Sequence, residues 1–217
     1  MVHFKNNYLK NKQTISIIDY GISNLGSIRN MLRKIGVSSN VITKPEQIVD
    51  AHKIILPGVG SFDHGVKALT DLNLIGSIKE AANKGIPLLG ICLGMQLLGN
   101  KSEEGNLEGL GLIPGSSIKF NFRDIDSKYR IPHMGWNFIS PHDRDHPFLS
   151  SLDVNSRFYF VHSYHFVPEN MKHSIAKTSY GLEFTSIISS ANVHGTQFHP
   201  EKSHKFGIQL LSNFSSI

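Results

Sequence analysis

The stretch Pro87-Leu88-Leu89-Gly90-Ile91-Cys92-Leu93-Gly94-Met95-Gln96 governs how the rest of the chain is understood. Pro87 to Ile91 is a short apolar run, the pattern of a buried strand. Met95 to Leu98 begins a helical pattern. Between them stands Gly-x-Cys-x-Gly, residues 90–94. A residue on a sharp strand-to-helix turn sits in strained backbone, and side chains two residues to either side would collide with neighbouring backbone. The helix amino terminus behind the sulfur favours thiolate. A lone cysteine is more often buried and inert. The flanking glycines favour a nucleophile at Cys92 instead.

On either side of this turn, strands and helices alternate. Ile15 to Asp19 reads as a buried strand ending in the turn Tyr20-Gly21. Leu25, Ile28, Met31, Leu32 and Ile35 recur at helical spacing, and Gly36 closes that helix. Asn40 to Thr43 and Lys53 to Leu56 read as further strands, the latter stopped by Pro57-Gly58. Ser77 to Lys84 is helical and ends at Gly85. This alternation predicts an α/β fold with a flavodoxin-like, mostly parallel central sheet flanked by helices. The second half reads differently. Ser117 to Phe120, Trp136 to Ile139, Phe158 to Phe166, Ser174 to Thr178, Thr185 to Ser189 and Val193 to Phe198 all read as strands, so antiparallel additions are expected there. Ser203 to Phe214 closes the chain as a helix. A single domain over residues 14–217 is the economical reading, with residues 1–13 as a flexible N-terminal extension.

Composition narrows the class. The 217 residues are 40% hydrophobic and 18% charged, which is globular rather than disordered. One cysteine excludes an internal disulfide and any multi-cysteine metal site, and fits a reducing compartment. No secretory h-region precedes residue 14, and Pro87 to Gly99 is too short to span a bilayer. A cytoplasmic protein without membrane attachment is expected. Lys and Arg number 22 against 17 Asp and Glu, a formal charge of +5. The basic residues are scattered and no recognition motif accompanies them, so nucleic acid is not an expected partner.

A cysteine nucleophile needs a base, and the base needs an orienting group. Phe198-His199-Pro200-Glu201 offers both after an apolar run. Taken alone the pair is weak, because twelve histidines make a chance pairing easy. Pro57-Gly58-Val59-Gly60 follows a strand. Its backbone N–H groups suit an oxyanion hole, although an ordinary strand-ending turn explains the tetrapeptide equally well. No third glycine completes a dinucleotide fingerprint. His142 to His146 and His162 to His165 have metal-compatible spacings. The first reads as a charged surface loop. In the second, strand alternation would put the two histidines on opposite faces. No metal and no cofactor are expected.

These residues together resemble the class I glutamine amidotransferases. The elbow at 90–96 and Phe198-His199-Pro200-Glu201 look like that family's two signatures. Asp19-Tyr20-Gly21 with Asn24-Leu25, Pro57-Gly58-Val59-Gly60, Pro132-His133-Met134-Gly135-Trp136-Asn137, Tyr159-Phe160-Val161-His162-Ser163-Tyr164 and His199-Pro200-Glu201-Lys202-Ser203 follow in the order of one subfamily. That subfamily is the glutaminase subunit of imidazole glycerol phosphate synthase, from histidine biosynthesis. The resemblance runs from Ile15 to the C-terminus. It implies that Cys92 attacks glutamine, His199 shuttles protons and Glu201 orients His199. It implies an oxyanion hole at Leu93, Val59 and Gly60, the last two in a turn that changes conformation. It places Gly58, Gln96, His162, Ser163 and Tyr164 at the glutamine pocket, and Trp136 and Asn24 at an interface with a partner. The implied partner is a (βα)₈-barrel cyclase in a heterodimer, which receives the ammonia and makes imidazole glycerol phosphate and an aminoimidazole carboxamide ribotide.

Ser23 and His204 stand where members of the subfamily often carry glycine and glutamine. Two other readings therefore stay open. One is a paralogue that supplies ammonia for amidation of a nucleotide-activated sugar in surface polysaccharides. The other is a stand-alone cysteine hydrolase, although such enzymes usually place histidine directly after the cysteine, where Leu93 stands.

Overall fold

The computed structural model describes residues 14–122, 129–143 and 145–217. The extension expected at 1–13 lies outside the described residues. The first half alternates: β1 (Ile15–Ile18), α1 (Leu25–Lys34), β2 (Ser39–Ile42), α2 (Pro45–Val49), β3 (Lys53–Gly58), α3 (Phe62–Asp71), α4 (Leu74–Asn83), β4 (Leu88–Cys92) and α5 (Leu93–Leu97). Strands dominate the second half: β5 (Lys101–Ser102), β6 (Gly115–Lys119), β7 (His133–Phe138), β8 (Ser140–Pro141), β9 (Arg157–His162), β10 (Tyr164–Pro168), β11 (Ser174–Tyr180), β12 (Leu182–Ser190) and β13 (Val193–Thr196), followed by α6 (His204–Ser216).

Among the described residues eight strands form one sheet in the order β2-β1-β3-β4-β13-β12-β11-β8. The five strands from β2 to β13 run parallel. The last three add on antiparallel. The order of those five is that of a flavodoxin-like sheet, in which ligands sit beyond the carboxyl ends of the strands. Strand alternation divides the core between the two faces. Ile15, Ile17, Ile55, Leu89 and Ile91 pack with Ile28, Leu32, Leu210 and Phe214 of α1 and α6. Ile18, Ile54, Leu56 and Leu88 pack with Val66, Leu69, Leu74 and Ile78 of α3 and α4. Fully burying each such side chain contributes about 1.5–3 kcal/mol. A run apolar on both faces is thus the mark of a strand covered on both sides.

Several elements depart from the sequence expectation. β3 runs through Pro57 to Gly58, paired with Ile91 and Cys92. β1 leaves the ladder at Ile55, so Pro57 has a neighbour on one side only and its missing N–H costs nothing on the other. The expected strand over 158–166 breaks at Ser163. β9 pairs with β7, whereas β10 pairs with β6. The Ser163 carbonyl there accepts from Phe120 N–H at 3.1 Å. Because of that break, His162 and His165 do not face opposite ways. Both rings pack on Phe120, with centroids 5.2 and 4.8 Å away. α3 is an addition to the expected elements, although Phe62, Val66 and Leu69 carry its buried stripe. α4 starts at Leu74 rather than Ser77, after Asn73 in left-handed backbone at φ +55°. Of the surface loop expected at 142–146, Arg144 lies outside the described residues, and His146 turns inward: it accepts from Phe148 N–H and bonds Ser189 Oγ at 2.9 Å.

Candidate active site

Cys92 ends β4 and precedes α5 directly. Its φ is +55° and ψ −109°, a region that non-glycine residues rarely occupy. The flanking glycines have a steric cause. A Cβ on Gly90 would come within 2.7 Å of Gly94 and Met95 backbone. A Cβ on Gly94 would overlap the Leu56 carbonyl oxygen. The elbow therefore closes only with glycine at both positions. Gly58 lies opposite Cys92 in the ladder, beneath the site, where a Cβ would strike the Tyr20 hydroxyl.

His199 comes from the segment after β13. Its N–H donates to the Tyr159 carbonyl at 2.9 Å, and its carbonyl accepts from Ser203 Oγ at 2.6 Å. The backbone is thereby held on both sides. Nδ1 bonds Glu201 Oε1 at 2.7 Å, with both side chains almost fully buried. Burial alone would lower the pKa of this imidazole. The charge of Cys92, hydrogen bonding toward it and the Glu201 carboxylate outweigh burial and lift it to about 10. Nε2, the nitrogen left over, is buried and has no partner of full hydrogen-bond geometry. The Cys92 thiol reaches the Val161 carbonyl at 3.9 Å.

These groups border a cavity of about 300 Å³. Of the residues expected at the site, Cys92, Leu93, Val59, Gly60, Gln96, His162, Ser163, Tyr164 and His199 line it. Glu201 stands behind His199. Gln96 Nε2 donates to the Tyr164 carbonyl at 3.1 Å and to Gln197 Oε1 at 3.2 Å. His162 is held neutral, pushed down to about 3 chiefly by burial.

One expected oxyanion donor is engaged elsewhere. The Val59 N–H donates to the Ile22 carbonyl at 3.0 Å, so it does not point into the cavity. An oxyanion contact from Val59 requires that bond to break first. Gly60, at φ +104°, adjoins it in the same turn.

Three further residues line the cavity: Pro132 and Val161, which belong to the quoted runs at 132–137 and 159–164 without a role assigned to them there, and Glu104, which carried no sequence signal. Glu104 Oε2 accepts the Phe62 N–H at 2.8 Å, capping α3 and fixing a carboxylate at the cavity wall. In sequence it is an acid in a polar turn, indistinguishable from a solvated one. Trp136 and Asn24 lie away from the cavity. Trp136 stacks on His204, with centroids 5.3 Å apart and planes 7° apart, beneath the Arg157 guanidinium. Met134 and Phe138 are exposed on the same face of β7. Asn24 Oδ1 accepts from Ser27 N–H at 3.4 Å at the start of α1. Among the described residues no cluster of three or more potential metal ligands occurs, and no helix is long and apolar enough to cross a membrane.

A strained cysteine at the carboxyl end of a parallel sheet, in a cavity beside a buried histidine–glutamate pair, is an arrangement with the parts that cysteine-dependent acyl transfer requires. Residues 16–216 match the family model "Glutamine amidotransferase class-I", and the chain belongs to that family. It is 51% identical to "Imidazole glycerol phosphate synthase subunit HisH 2" of Methanococcus maripaludis, over 92% of this chain and 98% of the relative. It is 47% identical to the protein of the same name from Pseudomonas aeruginosa, over 94% and 99%. A HisH subunit of Sulfurimonas denitrificans is 44% identical over 93% and 97%. In three dimensions the chain is similar to "Structure of PurLQS from Thermotoga maritima", with a TM-score of 0.72, 20% identity and coverage of 94% and 98%. It is also similar to a glutamine amidotransferase from Thermotoga maritima, with a TM-score of 0.63, 17% identity and coverage of 94% and 83%. At those identities the structural likeness speaks to the fold alone.

Proposed function

We propose that the chain is the glutaminase subunit of an imidazole glycerol phosphate synthase, acting in histidine biosynthesis through a Cys92–His199–Glu201 triad. The observation that carries this reading is one cavity bordered by Cys92 and by His199, itself bonded to the buried Glu201, with a carboxylate at Glu104 on its wall. The Cys92 sulfur attacks the side-chain amide carbon of glutamine. His199 delivers its Nε2 proton to the leaving nitrogen, the C–N bond breaks and ammonia departs, leaving a glutamyl thioester. Water then gives a proton to His199 and attacks the thioester, and glutamate leaves. Glu201 holds the imidazole by Nδ1 so that Nε2 faces the reaction. Leu93 N–H, at the start of α5, supports the oxyanion. The Val59–Gly60 turn adds a second donor only after Val59 N–H is released from Ile22, which would keep the chain nearly idle without its partner. Glu104 and Gln96 receive the ammonium of glutamine, with Gly58 and the 162–164 segment shaping the rest of the pocket.

Ammonia passes to a (βα)₈-barrel cyclase in a heterodimer. Trp136, with Met134 and Phe138 beside it, and Asn24 face that partner. The activity needs no cofactor, and a cytoplasmic location fits a biosynthetic enzyme. A second reading rests on Ser23 and His204, which depart from the subfamily's usual glycine and glutamine. In that reading a paralogue feeds the ammonia to a nucleotide-activated sugar.

Glutamate release from glutamine, measured for the chain alone and with the cyclase plus its nucleotide substrate, tests the assignment. Strong stimulation is expected, with glutamate production lost in Cys92→Ala while folding and association persist. Exogenous ammonia should restore product formation in that variant complex. A well-folded chain that the cyclase does not stimulate would move the assignment to the sugar-amidating paralogue.

A further inference from the structure

A chain of hydrogen bonds enters the cavity wall from β7. Asn137 Nδ2 donates to the Ser179 carbonyl at 3.0 Å and lies 3.2 Å from His133 Nε2. Asn137 Oδ1 accepts the Phe138 N–H at 2.8 Å. His133 Nδ1 lies 3.0 Å from His162 Nε2. His162 Nδ1 lies 2.7 Å from the Tyr164 carbonyl oxygen. That oxygen also receives Gln96 Nε2 at 3.1 Å.

The direction of every bond follows from the fixed ends. A backbone N–H donates only and a carbonyl accepts only, so Phe138 and Ser179 allow one orientation of the Asn137 amide. Its NH₂ end then faces His133 Nε2, which must accept. His133 therefore carries its proton on Nδ1 and donates to His162 Nε2. His162 in turn carries its proton on Nδ1 and donates to Tyr164. The Tyr164 carbonyl is an acceptor in its own right, so both ends of the relay demand the same polarity. Gln96 has both amide N–H bonds engaged, by Tyr164 and Gln197, and can offer a ligand only its oxygen.

We propose that Asn137 and His133 are positioning residues for glutamine binding, acting through the His162 hydrogen bond that holds the Tyr164 carbonyl in place, where it receives Gln96 Nε2 and leaves the Gln96 amide oxygen toward the substrate. This rests on the glutaminase reading above. Neither Asn137 nor His133 borders the cavity. Their effect reaches it as proton placement along three side chains, and a buried network of this kind is sensitive to a single reversed member.

The test has a spectroscopic arm and a kinetic arm. Long-range ¹H–¹⁵N correlation spectra of the full chain with ¹⁵N-labelled histidine read the tautomers directly. Both His133 and His162 should be Nδ1–H, against the Nε2–H form that free imidazole side chains prefer. Asn137→Asp presents only acceptors to His133 and should convert both rings to Nε2–H. In the assembled complex that variant should raise the glutamine KM about tenfold with kcat changed by about twofold or less. Nε2–H tautomers in the unsubstituted protein would overturn the proposal, and that arm needs no variant to fold. So would inverted tautomers with an unchanged KM. Nδ1–H tautomers in a chain that makes no glutamate with any partner would instead overturn the glutaminase reading, and the assigned purpose of the relay with it.

Discussion

His199 keeps its proton because charge beats burial. Burial works against an imidazolium, yet the neighbouring Cys92 and Glu201 lift it to about 10. The raised value means that the protonated form stabilises the fold fully below the ordinary 6.5, and that this contribution is lost as pH rises through about 10. The same proton is needed by the leaving ammonia. We expect kcat/KM for glutamine to hold through neutral pH and to fall with an alkaline midpoint near 10, measured on the assembled complex. Glu201→Gln removes one of the lifting charges and should bring that midpoint down. An alkaline limb unmoved by this change would show that Glu201 does not tune the histidine. Legibility among single residues is uneven. Cys92 stands out through its glycines and His199 through its place after an apolar run. Glu104 and Asn137 do not, because an acid in a turn and an amide on a strand gain meaning only from what they touch.

Among the elements, the elbow depends on how closely α5 approaches β3. The Leu56 carbonyl sits where a Cβ on Gly94 would go, and that atom is backbone, unable to swing aside. Gly94→Ala must push α5 away or twist β3. We expect a loss of about 3 kcal/mol in a urea titration, at the upper end for overpacked sites, with glutaminase activity lost as well. A variant of unchanged stability and activity would mean that the turn tolerates a wider opening than its geometry implies. The parallel strands and α1 are legible from periodicity, because each is buried by its own apolar pattern. The break at Ser163 is not. Phe158 to Phe166 reads as one uninterrupted strand, and the switch from β7 to β6 as partner is decided by sheets formed from distant segments.

Across the entire fold, histidines that must stay neutral help to hold the layers together. Burial lowers His133, His165 and His194 to about 4 and His162 to about 3. A depressed histidine contributes stability that is present above the ordinary 6.5 and is lost as pH falls from there toward the folded value. Each costs about 1.4 kcal/mol per pH unit across that window. Urea midpoints followed by circular dichroism should fall steeply from about pH 6.5 to about 4.5. A flat profile would mean that these rings reach water more readily than their packing indicates.

The alternation of strands and helices and the cysteine on its glycine-flanked turn are written in the chain's local spacing, and the family in its motifs. They need only a period of two or 3.6, and small residues where backbones must nearly touch. Other features exist only once the chain is folded: His199 beside Cys92, the Val59 N–H engaged by Ile22, Glu104 at the cavity and Asn137 at the head of the relay to His162. Each of those depends on which strands lie side by side. Strand pairing over long sequence separations follows from burial of the whole core rather than from any one segment's pattern.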